Sequence, residues 1–63
     1  MTIEAFRRSG LAPGNEVVVR RDDGSLERRR IKYEPWKLGH GVWVIGLQGI
    51  AGGYDLDRVE VGR

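Results

Sequence analysis

Between Arg20 and Lys37 the chain carries seven cations: Arg20, Arg21, Arg28, Arg29, Arg30, Lys32 and Lys37. Four carboxylates oppose them, Asp22, Asp23, Glu27 and Glu34, and two aromatic residues, Tyr33 and Trp36, are interleaved near the end of the run. Each phosphate that a cation neutralises adds a salt-dependent increment to binding. An aromatic face beside such charge can stack on an unpaired base. Arg20, Arg21, Arg28, Arg30, Lys32, Tyr33, Trp36 and Lys37 are therefore the candidate nucleic-acid-binding residues. Two other readings use the same charges. The arginines can be satisfied across a hairpin by their own carboxylates, or they can face an acidic protein.

The second candidate is the stretch Pro35-Trp36-Lys37-Leu38-Gly39-His40-Gly41. Trp36 and Leu38 are expected to fold as a lid over one open end of a small barrel. The alternative is an exposed anchor for a protein partner, since Trp is enriched among binding hot spots; Trp36, Leu38 and Tyr54 would then form the protein-binding surface. His40, between two glycines, reads as a turn residue, and no partner group for acid–base catalysis is visible near it. A lone histidine in a chain without cysteine cannot supply the three or four ligands of a zinc site. The glycines of 39–41 and 49–53 lack the following helix and lysine of a phosphate loop. No catalytic residue, metal or cofactor is expected.

The elements that must position these residues are short. Thr2 can cap a helical turn that places Ile3 and Phe6 on one face and stops at Gly10. Ala12-Pro13-Gly14-Asn15 reads as a turn. Strands are expected near 16–20, 26–33, 42–47, 50–54 and 59–61. Asp22-Asp23-Gly24-Ser25 closes the first hairpin, the Asp-Gly pair suiting two left-handed positions. Pro35 is expected to end the second strand. Within that strand Leu26, Arg28, Arg30 and Lys32 face one way, and Glu27, Arg29, Ile31 and Tyr33 the other. Trp43, Ile45 and Leu47 share one face of the third strand, with Val42 and Val44 on its back. That second apolar face lies under the helix in a monomer or in a contact between copies, and both readings, the homo-oligomer among them, stay open. Val18, Val44 and Ile45 are the expected core, and Asp55 to Arg58 forms a 3₁₀ turn before the last strand.

Sixty-three residues make one domain with a thin core. The formal net charge is only +2, so the positive charge is a local patch. No run approaches the roughly 20 apolar residues of a membrane helix, and Met1 to Arg8 lacks a secretory apolar core. No membrane contact and a cytoplasmic location are expected.

Five short strands with a 3₁₀ turn before the last one resemble the SH3-like barrel, including KOW-type barrels, over about Leu11 to Val61. The carriers are Pro13-Gly14-Asn15-Glu16-Val17-Val18, like the opening strand of such barrels, and Leu56-Asp57-Arg58-Val59, like their closing turn. One enzyme family with this frame, the tetrameric type II dihydrofolate reductase, ends in a similar Leu-Glu-Arg-Ile. Its Val-Gln-Ile-Tyr strand, which holds pterin and nicotinamide, is matched here by Ile50-Ala51-Gly52-Gly53-Tyr54. No glutamine or isoleucine stands in the matching places, and no catalytic residue carries over.

The resulting expectation is an all-β, SH3-like five-stranded small barrel with a short N-terminal helical turn. It is expected to be a non-enzymatic module that contacts nucleic acid, with a protein-interaction adaptor as the alternative. A small oligomeric reductase-like enzyme ranks below both.

Overall fold

The hydroxyl of Thr2 accepts a 3.1 Å hydrogen bond from the Ala5 amide and starts a helix, α1 (Ile3–Ser9). Glu4 in its first turn and Arg7 and Arg8 in its last complement the helix dipole. Gly10, with φ 78°, ends it. So short a helix survives only by packing, and Phe6 is buried in the core with Ile3 and Leu11 against its edge. The architecture comes from a computed structural model and is described for residues 1–61.

Five strands follow: β1 (Glu16–Arg20), β2 (Leu26–Lys37), β3 (Trp43–Leu47), β4 (Gly53–Asp55) and β5 (Val59–Val61). All neighbours are antiparallel, in the order β4-β3-β2-β1-β5, and the class is all-β with one short helix. The expected closure of a barrel on itself is not met. The edge strands β4 and β5 are not hydrogen-bonded to each other among the described residues. They are joined by a 3₁₀ turn, Leu56–Arg58, whose Leu56 is buried. The Asp55 carboxylate caps that turn by accepting from the Asp57 amide at 3.0 Å.

β2 runs four residues past the expected end, through Pro35 to Lys37. Proline lacks an amide donor and is tolerated in bulges and at strand edges. Both conditions hold here, because beyond Ile31 the strand pairs only with β3 and the register slips on either side of Tyr33. The following loop is correspondingly tight. The Leu38 amide donates to the Val42 carbonyl at 2.8 Å and the Gly41 amide to Leu38 at 2.9 Å. The β1–β2 hairpin closes in the same way, Arg21 to Ser25 at 2.8 Å and Gly24 to Arg21 at 2.9 Å. Only the third loop residue, Gly24 or Gly41, has positive φ. The expected pair of left-handed positions at Asp23-Gly24 is thus corrected to a three-residue loop with one.

The core consists of Phe6, Val17, Val19, Ile31, Ile45, Leu47, Leu56 and Val59. Each fully buried aliphatic side chain contributes about 1.5–3 kcal/mol. Val44 and Ile45 are buried as expected, but Val18 is not in the core. Three consecutive valines carry no alternation of their own, and pairing decides their phase. Val19 meets Val59, both buried, while Val18 lies opposite Arg28 and Glu60 on the outer side. β3 begins at Trp43 rather than Val42. β4 is shorter than expected, because Ile50 to Gly52 stay in the turn. No helix is long and apolar enough to cross a membrane.

Ile31→Ala and Ile45→Ala should each lower the unfolding free energy by about 2–5 kcal/mol. Val18→Ala should cost about 1 kcal/mol or less, as befits an outward position. Urea denaturation checks this, and equal losses at all three positions would contradict the observed phase of β1.

Candidate nucleic-acid interface

Tyr33 and Trp36 are three residues apart, a spacing that sends side chains to opposite faces of a regular strand. Two irregularities in β2 reverse that. From Ile31 to Tyr33 the strand advances two residues while its partner advances one, from Leu47 to Gly46. From Tyr33 to Trp36 it advances three residues against two, Gly46 to Val44. Ile31 therefore points into the core with Leu47. Tyr33 and Trp36 both emerge on the outer face with Gly46 and Val44. The expected placement of Tyr33 on the face of Arg29 and Ile31 is corrected by the first bulge, since a bulge re-aims the side chains that follow it.

Two glycines form the floor under these rings. Gly46 and Gly53 pair directly across β3 and β4. A Cβ at Gly46 would lie 2.7 Å from Tyr33 Cδ2 and 2.9 Å from its Cβ. A Cβ at Gly53 would lie 2.6 Å from Val44 Cγ2 and 3.0 Å from Trp36 Cζ2. The aromatic side chains thus settle onto bare backbone and cover Val44, which is 6% exposed, while Val42, expected on the same face, stays 37% exposed. Tyr33 stays 58% exposed and Trp36 38%, so their free faces remain open to a ligand.

Lys32 Nζ lies 5.3 Å from the centre of the Tyr33 ring, at the mouth of a cleft of about 200 Å³ between the two aromatics and the Ile50–Gly52 turn. Arg30 is also exposed on β2, and its Nη1 donates to the Gly14 carbonyl at 3.1 Å. The remaining cations are arranged differently. Arg20 pairs with Glu60, Arg21 with Glu27 at 3.8 Å, Arg28 with Glu16 at 3.9 Å, and Arg29 with Glu27 at 2.7 Å. Arg29 is half-buried, turned away from the exposed Arg28 and Arg30. Lys37 pairs with Trp43, which puts it on the face opposite Trp36. The candidate residues therefore divide. Arg30, Lys32, Tyr33 and Trp36 follow one outer surface with Arg28; Arg20, opposite Leu26, shares the outer face of the β1–β2 pair but is engaged by Glu60, whereas Arg21 and Lys37 lie elsewhere.

The protein-binding trio divides too. Tyr54 pairs with Ile45, packs against the core, donates its hydroxyl to the Arg20 carbonyl and lies under the Arg21 guanidinium at 5.8 Å. Leu38 is part-exposed beside the hairpin loop, and Trp36 belongs to β2 rather than to a loop lid. His40 stands exposed in that loop, and no cluster of three or more metal-ligating side chains occurs among the described residues. Compared with protein families, curated proteins and solved structures, the chain finds no match in any of the three.

Sequence reasoning missed Gly46, Gly53 and the Ile50–Gly52 turn as parts of this surface. A proline inside a strand signals a bulge and a glycine inside one signals a close approach. Together these signals mark the site, but neither says which ring comes to rest there.

The tip of the basic hairpin is held by carboxylates. A hydrogen bond from Arg58, reinforced by its charge, holds Asp22 below the ordinary value of 3.8. The hydroxyl and amide of Ser25 do the same for Asp23. Groups with lowered folded values stabilise fully above the ordinary value and lose that contribution as pH falls through the folded one. An NMR titration of the carboxyl carbons should place both midpoints below 3.8. Arg58→Ala should return Asp22 toward it and leave Asp23 in place.

Gly46→Ala must displace Tyr33 from its seat, and overpacking of this kind costs about 1–3 kcal/mol. Thermal denaturation should show the loss, and the Tyr33 ring resonances should shift with it. A variant as stable as the parent would contradict the seating.

Proposed function

We propose that this chain is a partly open SH3-like barrel that binds single-stranded nucleic acid on the outer surface of β2, without enzymatic activity. The observation that carries the reading is the pair of bulges that sets Tyr33 and Trp36 on one open face beside Lys32. The strand order, the long shared β2 and the 3₁₀ turn before β5 support the frame. In this reading Tyr33 and Trp36 stack on successive bases, a mode tolerant of sequence because every base has a π-face. Lys32 and Arg30 neutralise phosphates along the same strand. Arg28 joins them by exchanging a solvent-exposed carboxylate for phosphate, a small loss since exposed ion pairs are worth about 0–1 kcal/mol. Single strands suit the site better than duplex, whose bases present no free faces to a stacking side chain.

A protein partner is the second reading. It is favoured by the part-exposed apolar side chains of Trp36, Leu38 and Val42 on the β2–β3 hairpin. Salt separates the two readings, because apolar contact is nearly indifferent to it while phosphate contact is not.

Fluorescence anisotropy of a labelled single strand at two salt concentrations tests the proposal. Tyr33→Ala and Trp36→Ala should each weaken binding by about 1–3 kcal/mol. Replacing Arg30 and Lys32 together by Gln should flatten the slope of log affinity against log salt by about 0.7 per lost contact. Arg29→Gln should leave the slope unchanged. No binding at low salt would end this reading in favour of the protein partner.

A further inference from the structure

The cleft beside the aromatic pair has two dissimilar walls. One is formed by the Tyr33 and Trp36 rings, the other by Ile50, Ala51 and Gly52 in the turn that leads into β4. At about 200 Å³ it is smaller than the roughly 300–1,000 Å³ of pockets that hold drug-sized ligands. It has room for one ring system. In the second wall Ile50 adds an apolar side chain packed on the core, while Ala51 and Gly52 are exposed and carry no side chain beyond a methyl, which leaves their peptide N–H and C=O groups uncovered by side chains. Lys32 supplies the single charge, and that charge is positive. An aromatic wall, a peptide wall and one cation at the mouth match one chemical class, a planar heterocycle that carries hydrogen-bonding edges and a phosphate.

We infer that the cleft is a slot for one unpaired nucleobase, whose face lies on the aromatic wall while its edge is read by the peptide groups of Ala51 and Gly52. The inference rests on the nucleic-acid reading above and goes beyond it. Stacking and phosphate contact alone bind every sequence alike, whereas a slot with fixed donors and acceptors prefers one base at one position. Unstacked bases in single strands are recognised in this manner, by stacking on aromatic rings and hydrogen bonding along their edges. The glycine floor serves the slot as well. With Tyr33 seated on Gly46, its ring lies low enough to leave the cleft open.

Labelled homopolymeric single strands of each base, as DNA and as RNA, test the slot by anisotropy on the whole chain. The parent protein should prefer one base over the least favoured by about tenfold, an effect within reach of one or two hydrogen bonds. Ala51→Leu fills the cleft from an exposed position and leaves Lys32, Tyr33 and Trp36 in place. It should abolish the preference while the salt slope stays as in the parent. In the parent, amide resonances of Ala51 and Gly52 should move on titration with the preferred strand, a readout that needs no variant. Equal affinity for all four bases, a preference that survives Ala51→Leu, or stationary Ala51 and Gly52 amides would each overturn the slot and leave the stacking surface standing. Absence of all binding at low salt would overturn both.

Discussion

Ile31 is held on both edges of its strand. Its amide donates to the Asn15 carbonyl at 2.8 Å, and its own carbonyl accepts from Gly14 at 2.9 Å. On the other edge it is paired with Leu47, while the Gln48 amide reaches the Arg30 carbonyl at 2.9 Å. Residues before it pair with β1 and residues after it pair with β3. The 12-residue strand carries one ladder on each edge, and the hand-over from β1 to β3 falls at Ile31, whose side chain is buried. Burial forbids Ile31 from slipping by one residue, since a slip of one would carry it to the solvent face. The register of the whole sheet hangs on that position.

The bulges follow from the same constraint. With Ile31 fixed inward opposite Leu47, β2 must still match β3 as far as Lys37 opposite Trp43. The extra residues of β2 are absorbed on either side of Tyr33, and the second irregularity falls where Pro35 could not have donated to a ladder anyway. What emerges is an aromatic pair lying on glycine. A strand interior ordinarily loses stability at glycine for want of a side chain to pack. Here Tyr33 and Trp36 supply the missing cover from the neighbouring strand, so structure and candidate site are one arrangement. A ring whose inner face is needed for packing keeps its outer face in a fixed place.

Charge is sorted by the same geometry. Alternation along the first half of β2 turns Arg29 toward Glu27 and leaves Arg28 and Arg30 exposed. Arg20 and Arg58 find carboxylates from distant segments, Glu60 and Asp22, and tie the basic hairpin to the end of the chain. The contiguous run of cations in the sequence is therefore not a contiguous patch. Part of it tethers elements, and part stays exposed on the outer face of β2.

How much of this was legible beforehand depends on how local each feature is. The capped helix, the place of the β1–β2 turn, the 3₁₀ turn and the last strand are written in residues close to one another: Thr2 and Gly10, Asp23-Gly24, Asp55 and Asp57. Each depends on hydrogen bonds or dihedral preferences spanning a few residues, which composition and spacing express directly. The exposed side of Arg28, Arg30 and Lys32 was equally readable from simple alternation. Only the tertiary structure decided that Val18 faces outward, that β2 continues through Pro35, that β4 begins at Gly53, and that Tyr33, Trp36 and Lys32 share one cleft. Those outcomes depend on which residue lies opposite which, a relation between segments far apart in the chain. A single bulge reverses the face of everything after it, and the register that places the bulge is settled by burying Ile31 against Leu47.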